Sequence, residues 1–88
     1  MASASGSWNA NNASSVAVPA DAHREGLIVQ NYSDSAASVF VGIGRAATAD
    51  QGQELVPGAV MKLRGRMAQK RVETVTAAGV AAGGYQGF

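Results

Sequence analysis

The chain has 88 residues, a formal net charge of +1 and no cysteine. That allows one small domain and excludes a disulfide framework, a thiolate metal site and a thiol nucleophile. Of 41 apolar residues 18 are Ala and 10 are Val, so a Val-rich, Leu-poor chain with a thin core predicts β structure supported by neighbouring subunits.

Residues 1–14 are almost all Ser, Ala, Asn and Gly. They carry neither the positive charge nor the apolar stretch of a secretory signal. Such a segment buries too little apolar surface to order itself, so it predicts an extended, flexible arm ahead of a β domain over residues 15–88. Trp8 is its odd member. It reads either as a residue lying on its own domain or exposed, or as an anchor that fills a pocket on a partner.

From Ser15 the apolar period becomes two. Ser15–Val18 is a short strand stopped by Pro19, and a turn follows through Asp21. Arg24–Asn31 is the clearest strand, with Leu27 and Val29 on one face and Ile28 and Gln30 on the other. After the polar cluster Ser33–Ser35, residues Ser38–Ile43 alternate again, and the short link predicts that these two strands pair antiparallel. Here Phe40 points away from Val39, Val41 and Ile43, towards a second layer of core or a subunit contact.

Residues 44–52 form a loop. Gln53–Val56 is a brief strand ended by Pro57-Gly58, the signature of a type II turn. The next strand, Ala59–Leu63, sets Ala59, Met61 and Leu63 against Val60, Lys62 and Arg64. Met67–Arg71 is a loop or one helical turn, Val72–Thr76 a strand, and Ala77–Gly79 a turn. Val80–Phe88 reads as an Ala/Gly-rich tail. Six or seven short strands at this spacing predict an all-β fold, a small antiparallel sandwich or partly closed barrel.

Few residues invite chemistry. Gly42-Ile43-Gly44 is half of a nucleotide-binding loop, without the third Gly or the following helix. His23 lies near Asp21 and Glu25, but no nucleophile is marked. The lone His and scattered carboxylates make a poor metal site, so no cofactor is expected. The longest apolar runs fall far short of the roughly 20 residues of a membrane helix. Asn12 and Asn31 match the glycosylation pattern by chance.

Charge gives the one strong signal. Lys62, Arg64, Arg66, Lys70 and Arg71 are five of the seven basic residues, within a ten-residue segment that holds no acid. The segment is either a solvated face or a surface for an acidic patch on a partner, another copy included. Nucleic acid is disfavoured, because the segment has no interleaved aromatics.

One family pattern is present. An arm is followed by Val16–Val18, then Arg24, Leu27–Asn31, Val39–Gly42, a small-residue loop over 45–52 and Leu55–Gly58. This order resembles the small β-sandwich proteins of tailed-bacteriophage virions, head decoration (cement) proteins and related fibre or tail modules, over residues 15–63. The resemblance implies a non-enzymatic structural protein on the capsid surface, made in the bacterial host cytoplasm. Its partner would be the major capsid protein or another virion protein, and it would itself be a homo-oligomer, a trimer among the options. Trp8, Phe40, Lys62, Arg64, Arg66, Lys70 and Arg71 are the candidate interface residues. On this reading residues 1–14 are removable without loss of the fold. The alternative is a fibre- or tail-associated ligand- or carbohydrate-binding module. It needs aromatics grouped on one face, whereas Trp8, Tyr32, Phe40, Tyr85 and Phe88 are dispersed along the chain.

Overall fold

A computed structural model describes residues 4–88. The elements run β1 (Ala4–Ala10), β2 (Ser15–Val18), β3 (Gly26–Asn31), β4 (Val39–Ile43), β5 (Gln53–Leu55), β6 (Val60–Arg64), α1 (Arg66–Gln69), β7 (Val72–Val75) and β8 (Ala81–Gly87). They form two four-stranded sheets, ordered β1-β8-β3-β6 (sheet I) and β2-β7-β4-β5 (sheet II). Every strand pair is antiparallel. The fold is the predicted β-sandwich, with no barrel closure.

Alternation places the core. Leu27 and Val29 from sheet I meet Val18, Val39, Val41, Leu55 and Val72 from sheet II, with Trp8, Ala10, Ala17, Ala68 and Ala81 filling the ends. Asn31 is wholly buried among them. Its side-chain nitrogen donates to the carbonyls of Ala37 at 3.2 Å and Leu55 at 2.9 Å. The Ala59 amide donates to the Val56 carbonyl, and Gly58 has φ +88°. That is the expected type II turn. It carries the chain from β5 in one sheet to β6 in the other instead of closing a hairpin.

The structure bears on four expectations: it corrects the free arm and the β3–β4 pair, and it places the tail and Phe40, whose readings were open. The first is the free arm. Residues 4–10 are β1, paired along its length with β8 from Ala4↔Gly87 to Ala10↔Ala81; residues 1–3 lie outside the described ones. The ordering cost is met by Trp8, 4% exposed, whose indole covers Gly83 and donates to the Gly84 carbonyl at 3.3 Å. A Cβ at Gly83 would fall inside that indole, so only Gly fits beneath it. Trp8 is thus a core residue of its own protomer and not a partner anchor.

Second, the Ala/Gly tail is β8, an inner strand of sheet I. Its glycines are what large neighbours require, with Trp8 over Gly83 and Tyr32 across Gly84, while its own Tyr85 reaches across Gly6 of β1. Third, β3 and β4 do not pair. Both edges of β3 are taken by β6 and β8, so the link after Asn31 crosses to sheet II.

The fourth concerns Phe40. It is 9% exposed and packs with Val75, Ala47 and Ala49 on the outer side of sheet II, beneath the 44–52 loop. The second-layer reading describes this position.

Candidate functional site: the basic edge and the open sheet face

The basic segment begins on an edge strand. Lys62 and Arg64 lie on the outer side of β6, opposite Ile28 and Gly26 of β3, and both are exposed. Gly65, with φ +63°, then turns the chain into the single helical turn α1. Arg66 is exposed there, and Lys70 follows with its stem packed beside Gly44.

Arg71 is separated from the others. Its Nε donates to Glu73 Oε2 at 2.8 Å. This hydrogen bond, with another from Ser14 at 3.0 Å, holds the Glu73 carboxyl below the usual glutamate range. Among the described residues, Lys62, Arg64, Arg66 and Lys70 have no carboxylate at ion-pair distance. The five predicted cations therefore divide into four unpaired ones and one pair belonging to sheet II.

A buried arginine positions this segment. Arg24 is 4% exposed. Its guanidinium donates to the carbonyl of Ala68, and to those of Pro19 and Lys70 at 3.2 Å each. Two of these acceptors are at the end of α1, where the last helical carbonyls have no partner within the helix. No periodicity marks this role, because a charged residue at the start of a strand reads as surface.

Sheet I has no acidic residue in any of its four strands. Its outer face is arranged in rows fixed by register: Lys62, Ile28, Gln86 and Ser5 in one, Val60, Gln30, Gly84 and Ser7 in the next. Two aromatic side chains lie on this face. Tyr32 crosses Gly84, and the ring of Phe88 covers Gly26. The Phe88 backbone is clamped to β3, its carbonyl accepting from the Glu25 and Gly26 amides. The two rings lie towards opposite ends of β3, Tyr32 over the Gln30 row and Phe88 at Gly26. Between Tyr32 and β1 the face is hollowed into an open groove of ≈ 490 Å³.

The remaining motifs occupy local structural positions. The Gly42–Gly44 pair ends β4, and a Cβ at Gly42 would strike the Arg45 and Ala46 backbone of the returning loop. His23 is exposed, its backbone amide held by the Asp21 carboxylate in a local turn. Asn31 is too buried to be a glycosylation acceptor. Among the described residues no group of three His, Asp or Glu could hold a metal, and no helix is long and apolar enough to cross a membrane. Comparison with protein-family models, with characterised proteins and with solved structures finds no match to this chain.

Proposed function

We propose that the chain is a non-enzymatic virion structural protein, a capsid decoration or cement module, that docks through the basic edge of sheet I. The family resemblance over residues 15–63 supplies the virion context. The carrying observation is an acid-free sheet whose edge strand exposes Lys62 and Arg64, with Arg66 just beyond. Such an edge complements an acidic surface on a major capsid protein or another virion protein. Each contact between exposed charges contributes about 1 kcal/mol or less. Useful retention therefore comes from many copies, or from an oligomer such as a trimer, engaging at once. With β1 built into the sheet, docking rests on the basic edge.

The experiment is co-sedimentation with heads purified from a lysate lacking this protein. The double variant Lys62→Glu/Arg64→Glu should lose binding while its melting temperature stays near that of the parent. Undiminished binding by this variant would remove the basic edge from the account.

A further inference from the structure

We propose that the groove on the outer face of sheet I is a binding site for uncharged oligosaccharide, a function beyond capsid docking. Five polar side chains converge on it: Ser5, Ser7, Gln30, Gln86 and Tyr32. None of them makes a side-chain hydrogen bond to the described residues. No charged residue lines the groove.

This donor and acceptor set fits sugar hydroxyls. Each hydroxyl both donates and accepts, and a carboxamide offers both capacities side by side. The Tyr32 ring, 39% exposed, presents a π face to the C–H face of a pyranose. A phosphate or carboxylate would find no cation here. The volume, ≈ 490 Å³, lies within the usual range for small-molecule sites and has room for one or two sugar rings.

The groove is built in advance of any ligand. A Cβ at Gly84 would stand 2.6 Å from the Tyr32 hydroxyl and 3.3 Å from the Gly6 carbonyl, so any other residue would displace the ring. From the core side, the Trp8 indole holds the Gly84 carbonyl. The floor is thus fixed from within, and the ordering cost of binding falls on the exposed Gln30 and Gln86 side chains. The groove spans β1, β8 and β3, and Lys62 of β6 borders it opposite Ile28, so the charge-reversed variant in the test separates docking from sugar binding.

The test is a glycan array followed by amide chemical-shift titration with the neutral and acidic oligosaccharides that bind best. The expected result is binding of a neutral glycan, with shifts centred on Gln30, Gly84 and Gln86. The double variant Gln30→Ala/Gln86→Ala, at two exposed positions, should weaken it about tenfold or more with the melting temperature unchanged. Three results would overturn the proposal: no neutral glycan bound at about 10 mM, binding equal in the double variant, or salt-sensitive binding of acidic glycans alone that is lost in Lys62→Glu/Arg64→Glu. The first two leave the capsid-docking reading untouched.

Discussion

Asn31 donates its side-chain amide to the Leu55 carbonyl at 2.9 Å, tying the last residue of β3 in sheet I to the last residue of β5 in sheet II. The same nitrogen reaches the Ala37 carbonyl, while the Asn31 backbone bonds to Gly58 and Ala59. One residue therefore fastens two of the chain crossings between the sheets, β3 to β4 and β5 to β6. Asn31→Ala leaves two buried carbonyls without their donor and should destabilise the fold by about 2–4 kcal/mol. Urea unfolding gives the value; a loss under about 0.5 kcal/mol would contradict this role.

The Thr74 hydroxyl is buried and has no hydrogen-bond partner. It faces the core on β7, in register with Val41. Val has nearly the same shape and suits a strand. Thr74→Val should therefore raise stability by about 1 kcal/mol, measurable as a higher denaturation midpoint at unchanged m-value.

Trp8→Ala empties a site beside two glycines that cannot grow to fill it. The expected loss is about 3–5 kcal/mol. Removal of residues 1–10 should abolish cooperative unfolding, because it strips β1 from β8. A truncated chain with a native circular dichroism spectrum and melting transition would restore the free-arm expectation.

Glu73 titrates below its ordinary range because Arg71 and Ser14 donate to its ionised form. A lowered folded-state value means that the unfolded chain takes up the proton first as pH falls. The stabilisation is therefore complete above the ordinary glutamate value, about 4.3, and disappears as pH drops through the lower folded value. Glu73→Gln should flatten the acid limb of melting temperature against pH below about pH 4. An acid limb identical to that of the parent would exclude this group as its source.

Arg24→Lys keeps the charge but loses the planar fork that reaches three carbonyls. A loss of about 2–4 kcal/mol is expected, with the fastest amide exchange appearing in α1. Equal exchange in α1 of parent and variant would show that Arg24 does not hold the basic segment.

The middle of the chain was legible because β-branched residues alternate there. Val39, Val41 and Ile43 face the core as their spacing predicts, and Pro57-Gly58 forms its turn. The two ends were not. β1 and β8 consist largely of Ser, Ala and Gly, which carry little strand propensity. Their smallness answers Trp8, Tyr32 and Tyr85, a match between distant segments that no local window contains. The basic segment was visible as charge, but its division at Arg71 rests on the extended backbone at the start of β7, which brings Arg71 and Glu73, two residues apart, to one side. The open face was invisible, because Tyr32 meets Gly84 only through the pairing of β3 with β8.

Trp8 and Gly84 are 76 residues apart in the chain, yet β8 is the strand on which both β1 and β3 close. On the ribosome β1 emerges early and waits, its indole in solvent, until β8 has been translated. The β1–β8 half of sheet I thus assembles in a single late event, so the nascent chain is most vulnerable to aggregation just before that closure.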